Sequence, residues 1–153
     1  MTSSNVSKLS ETKGCLVADR SGVGQRVEKI KGKKPSTREA MYSGLLLARR
    51  FIDRHLDEAL DVGQLAKLAG IARAHFVRRF TEAFGVSPTG YLQDRRMALA
   101  RHLLLKTNQS VTDVALACGY SSLGSFSRIF SVWYGASPGA SRKKAQAEKR
   151  ASL

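Results

Sequence analysis

Two arginines sit between pairs of phenylalanines in the same arrangement, Phe76-Val77-Arg78-Arg79-Phe80 and, fifty residues later, Phe126-Ser127-Arg128-Ile129-Phe130. On a helix, residues four apart share a face, and a residue midway between them points to the other side. The phenylalanines therefore read as core and Arg78 and Arg128 as outward-facing cations. A guanidinium offers a planar fork of donors that fits a phosphate or the O6/N7 edge of guanine. The chemistry suggested is recognition of nucleic acid.

Catalytic chemistry finds no footing. His55, His75 and His102 are scattered and no Cys/His cluster accompanies them, so no metal site is expected. Cys15 lies in a polar segment and Cys118 on an apolar helical stripe, where a thiol behaves as a small core residue. Two cysteines make no disulfide framework in a chain of 153 residues. There is no Gly-rich phosphate loop, no pair of buried carboxylates and no Ser/His/Asp grouping. The chain is expected not to be an enzyme and to need no cofactor.

Charge agrees with a polyanionic partner but does not prove one. The chain carries 26 Lys+Arg against 12 Asp+Glu, a net charge of +14, with a pI near 10.4. Residues 1–37 hold 8 basic and 3 acidic residues, and residues 142–153 hold 5 and 1. Most of the excess thus lies on two segments that read as tails, and such tails bind any polyanion. No apolar run approaches the ~20 residues of a spanning helix. The first residues have no apolar stretch of the kind a secretory signal carries. A cytoplasmic, nucleoid-associated protein that avoids membranes is expected.

The elements that position the arginines follow from capping signals and period. Ser36 with Glu39 three residues on is a capping box, in which each side chain satisfies the other's backbone N–H. It opens a helix expected to run to about Leu60, with Leu45, Ile52, Leu56 and Leu60 on one face. Asp61 with Gln64 opens a short helix that Gly70 stops, and a further helix spans 73–84. Ser87-Pro88 starts a long helix, 88–106, that Thr107-Asn108 breaks. Ser110 caps a short helix ending at Gly119, and Ser121 or Ser122 caps another that ends before Gly135. Nothing alternates with period two, so the fold is all-α.

The chain repeats itself. Gly85, Ser87 and Pro88 return as Gly135, Ser137 and Pro138, and Val62, Leu65, Ala66 and Gly70 return as Val111, Val114, Ala115 and Gly119. A short helix, a Gly turn and a second helix make a helix-turn-helix, present here twice. The expected organisation is a flexible basic tail over 1–36, a first subdomain over 37–87, a linker helix over 88–106, a second subdomain over 107–141 and a basic tail over 142–153.

Several motifs together resemble the DNA-binding domain of the AraC/XylS family of bacterial transcription regulators. They are Leu65-Ala66, Phe76-x-Arg78-x-Phe80, Gly85-x-Ser87-Pro88-x-x-Tyr91-Leu92, Arg95 and Ala98 ahead of a Leu-Leu pair, Val114-Ala115-x-x-x-Gly119-Tyr120, Phe126-Ser127-Arg128-x-Phe130 and Gly135-x-Ser137-Pro138. The resemblance runs over about 52–142. It implies a homeodomain-like pair of helix-turn-helix units joined by a central helix, each second helix entering the DNA major groove. Base-facing positions would be Arg73, Ala74, Val77 and Arg78 in the first unit and Leu123, Gly124, Ser127 and Arg128 in the second. Ala72 stands where the family usually has a capping Ser, and Leu123 and Gly124 where it usually has polar residues. The implied function is a sequence-specific regulator of transcription, an activator by family habit, with double-stranded DNA and RNA polymerase as partners. Only about 37 residues precede the first expected helix, so no small-molecule effector domain is expected. A nucleoid-type or adaptor protein, binding DNA mainly through charge, is the alternative.

Overall fold

The computed structural model describes residues 36–153. Residues 1–35, with the N-terminal basic segment and Cys15, lie outside the described residues. Among the described residues there are seven helices and no strand: α1 (Thr37–Arg54), α2 (Val62–Ala69), α3 (Arg73–Phe84), α4 (Pro88–Lys106), α5 (Val111–Ala117), α6 (Leu123–Tyr134) and α7 (Pro138–Ala151).

Each helix start has a local chemical cause. Ser36 and Glu39 form the reciprocal box ahead of α1, with Glu39 N–H donating to Ser36 Oγ at 3.3 Å and Ser36 N–H to Glu39 Oε2 at 2.7 Å. Asp61 accepts from Gly63 and Gln64 N–H ahead of α2, and Ser87, Ser110, Ser122 and Ser137 cap α4 to α7. The exception is α3. Its N-cap is Ala72, which offers no side-chain acceptor to the free N–H groups of the first turn.

Two boundaries differ from expectation. First, α1 stops at Arg54 and not near Leu60. Leu56 is still buried and Leu60 still packs on the core, but from non-helical chain. The apolar spacing therefore persists after the helix has ended. The chain leaves the helix with the His55 ring stacked on Phe51 at 3.9 Å and its Nδ1 2.7 Å from the Phe51 carbonyl. The carbonyls of Leu56 and Glu58 then accept hydrogen bonds from Arg96. Second, the segment 142–153, expected as a tail, is helical to Ala151. Ser137 caps it, Pro138 sits in its first turn, and Ala, Lys, Gln, Glu and Arg, all good helix formers, fill it. It packs along α4, where Arg142 Nε donates to the Leu104 carbonyl at 3.2 Å and so satisfies one of the last acceptors of that helix.

The apolar faces gather into two cores strung on α4. The first joins Leu45, Ile52, Leu56, Leu65, Phe76, Phe80 and Phe84 to Tyr91 near the start of α4. The second joins Met97, Ala100 and Leu104 of the same helix to Val114, Cys118, Phe126 and Phe130. Leu99 touches both. At the crossing of α1 and α4 lies a half-buried polar cluster: Tyr91 Oη donates to Asp53 at 2.9 Å, Arg49 Nε donates to Tyr91 Oη at 3.2 Å, and Arg95 pairs with Asp53 at 2.8 Å. Burial together with the Asp53 charge pushes the Tyr91 phenol up to about 12, so it stays a donor. Arg95 is 7% exposed, and leaving such a cation unpaired would be costly.

Candidate nucleic-acid interface

In each unit the first helix packs across the second, which leaves one face of the second helix open. On α3, Phe76, Phe80 and Phe84 are inside, while Arg73, Ala74 and Arg78 are exposed and Val77 is half-buried against the core. On α6, Phe126 and Phe130 are inside, while Leu123, Gly124 and Arg128 are exposed and Ser127 is half-buried. The eight positions thus form two separate sets of four, one on each second helix. Each set flanks its own pair of phenylalanines.

The first set is cationic and held by local contacts. Arg78 Nη2 lies 3.0 Å from His75 Nδ1, and Arg79 Nε lies 3.4 Å from His75 Nε2. A neutral imidazole accepts at only one nitrogen, so His75 holds one of the two arginines at a time. Arg79 has a second partner in Glu82 at 3.0 Å, which leaves Arg78 the guanidinium with more freedom to turn outward. Lys67 of the short helix α2 is exposed as well.

The second set is mostly apolar. Leu123 is 44% exposed and Leu116 of α5 is 56% exposed, and Val132 stands almost wholly in solvent. Arg128 is the one cation of α6. Ser127 gives its carbonyl to the Ser131 hydroxyl at 2.7 Å. Such a surface can touch a thymine methyl or a sugar and can hold a phosphate through Arg128, but it offers few donors to base edges.

Sequence reasoning missed residues that tie the other elements to α4. Arg96 was not singled out, yet its side chain reaches from α4 to the loop after α1 and lies over the Tyr120 ring at 5.6 Å. The Asp53–Arg95–Tyr91–Arg49 cluster was also missed. A usable signal was present for Arg95, which lies four residues after the core position Tyr91 and so shares its buried face. No local pattern marks Arg96, whose partners are some forty residues away.

Comparison with known proteins agrees with this geometry. Residues 65–144 match a family described as "Helix-turn-helix domain". The chain is 33% identical over 94 residues to a probable transcriptional regulator, LumQ, of Photobacterium leiognathi, a match covering 61% of this chain and 38% of that protein. It is 40% identical over 82 residues to an uncharacterized helix-turn-helix-type transcriptional regulator of Haemophilus influenzae, covering 54% and 28%. The chain therefore spans well under two thirds of the length of these relatives. Among solved structures, the DNA-binding domain of the transcriptional factor AdpA in complex with a target DNA superposes with a TM-score of 0.63 at 32% identity, over 72% of this chain and 96% of that one. An AraC-type regulator from Chromobacterium violaceum superposes with a TM-score of 0.62 at 28% identity, over 68% and 93%.

Proposed function

The chain belongs to the AraC-type helix-turn-helix family of DNA-binding transcription regulators, and from that premise we propose that one copy reads an asymmetric, two-part DNA site with α3 and α6 in successive major grooves. The observation that carries this reading is that both cores are built on one helix. The 19 residues of α4 span roughly 28 Å at ~1.5 Å per residue. Successive major grooves on one face of DNA lie about 34 Å apart. Two outward faces held at the ends of such a helix suit that spacing without a palindrome.

The two faces divide the work. Arg78, with Arg73 beside it, donates to a guanine edge, while Ala74 and Val77 lie close to the bases. Arg128 fixes a phosphate and Leu123 packs on a thymine methyl, with Gly124 and Ser127 allowing close approach. Activation through contact with RNA polymerase, on sites in the nucleoid, is the regulatory role that fits the family.

Footprinting on genomic fragments in excess competitor DNA tests this. The expected result is an asymmetric protected stretch of about two helical turns, lost when the half-sites are moved apart by about five base pairs, half a turn. The spacing is changed in the DNA because Met97 and Ala100 share one core, so an insertion between them would dismantle the second unit. A second reading, charge-driven binding with little base preference, is favoured by the apolar face of α6 and the net charge of +14. Uniform protection that competitor DNA removes would select that reading.

A further inference from the structure

We propose that Arg96 is a positioning residue that fixes the angle between the two recognition helices, an inference that rests on the two-part reading above. Arg96 belongs to neither recognition face. Its Nε donates to the Leu56 carbonyl at 2.8 Å and its Nη2 to the Glu58 carbonyl at 2.6 Å, both in the loop between α1 and α2 of the first unit. The Cζ of the same guanidinium lies over the Tyr120 ring, 5.6 Å from its centroid, in the turn of the second unit. Gly119 completes the junction. A Cβ there would stand 2.5 Å from the Leu56 carbonyl oxygen and 2.6 Å from Arg96 Nη2.

The loop of one unit and the turn of the other thus meet directly, with one side chain bonded to the first and stacked on the second. The chemistry asks for arginine. Its donors reach two carbonyls at once while its plane stacks on an aromatic ring, and a lysine can do only one of these well. The corresponding glycine of the first unit, Gly70, has nothing within 4 Å of where its Cβ would be, so no such junction exists on that side. Without the clasp the units stay joined through α4 and the packing of Leu99 on both cores, which leave each unit room to shift against that helix. Loss of angular definition would loosen the match to two grooves in register while leaving each face intact.

The experiment uses the full chain with Cys15→Ser, and with spin labels at Glu82→Cys and Val132→Cys, exposed counterparts in the two units. Cys118 is buried and takes no label. Pulsed electron paramagnetic resonance should give one narrow distance distribution for this parent. It should broaden in Arg96→Met, broaden less in Arg96→Lys, and stay unchanged in Lys106→Met on the same helix. On DNA, the preference for the native half-site spacing over one lengthened by a base pair should fall about tenfold in Arg96→Met, as tethering loses its geometric advantage. Affinity for the isolated first half-site should not change.

A distribution as narrow as the parent's in folded Arg96→Met overturns the proposal. Should that variant lose its helical circular dichroism, the width in Arg96→Lys decides instead. A parent protein indifferent to half-site spacing would defeat the two-part reading, while the label distances still judge the clasp without DNA.

Discussion

Phe76 and Phe80 in the first unit and Phe126 and Phe130 in the second are all buried to within 1% exposure. Arg78 and Arg128 are alike in both copies, but several other solvent-facing neighbours differ. Lys67 corresponds to Leu116, Arg73 to Leu123, Glu82 to Val132 and Ala72 to Ser122. Burial has held the repeated skeleton constant, because a close-packed interior feels every methylene. The exposed positions carry no such constraint, and there one copy has become cationic and the other apolar. A charged face gains from counterion release on any duplex and from donors on guanine, whereas an apolar face gains only where shapes meet. The two halves of the molecule therefore present different surfaces on one architecture.

If the buried halves are equivalent, equal truncations should cost equally. Phe80→Ala and Phe130→Ala should each lose about 3–5 kcal/mol in urea unfolding, the usual range for a core Phe. A loss confined to one of them would break the equivalence. The turns should behave differently. Gly70 and Gly119 both have positive φ, 68° and 79°, where a side chain costs about 1–2 kcal/mol. At Gly70 that strain is the whole penalty. At Gly119 a methyl also collides with the Leu56 backbone, so Gly119→Ala should be the more destabilising of the two by a clear margin in the same assay.

The exposed faces should separate in DNA binding. Arg78→Ala should cost roughly 1–3 kcal/mol and relax preference at one base pair. Arg128→Ala should weaken all sequences alike and make the salt dependence shallower. Competition titrations over a panel of single-base variants read both, and equal relaxation by the two substitutions would erase the proposed division. The caps give a smaller contrast. Ser122→Ala should destabilise by about 1 kcal/mol, and Ala72→Ser should stabilise α3 by a similar amount, each visible as a shift of a few degrees in Tm.

The smallest effect concerns Cys118, whose counterpart is Ala69. Burial pushes its thiol from 9.0 up to about 12. The folded state thus favours the neutral form, so its contribution is complete below 9 and is lost as pH rises toward 12. Tyr91 and Tyr134, raised from 10.0 to about 12, follow a unit later. Urea unfolding should show stability declining from about pH 9 in the parent and only from about pH 10 in Cys118→Ala.

The parts of this architecture that were legible in the sequence are those set within a few residues. Capping boxes at Ser36 and Asp61, stops at Gly70 and Gly119, and the spacing of the phenylalanines are local signals, and the helices follow them. The end of α1 was not legible, because Leu56 and Leu60 keep helical spacing while tertiary contacts hold their backbone elsewhere. Nor was α7 recognised beyond Ser137-Pro138, which repeats the Ser87-Pro88 start, because it has no apolar stripe to mark its length. The eight candidate contact residues were reachable from the repeat and the resemblance. Arg96 and the Asp53 cluster were not, since their partners lie some forty residues off and composition says nothing of such distances.

The sharing of α4 between both cores has a consequence for how the molecule breathes. Backbone amides exchange with solvent when the structure around them opens, and separate units usually open at separate free energies. Here the middle of α4, where Leu99 touches both cores, is covered from both sides. Its amides become accessible only when neither unit shelters them, so they should be the last to take up deuterium. The first turn of α3, which Ala72 leaves without a side-chain cap, should be among the first. The slowest-exchanging stretch among the described residues should then lie on neither of the two candidate recognition helices.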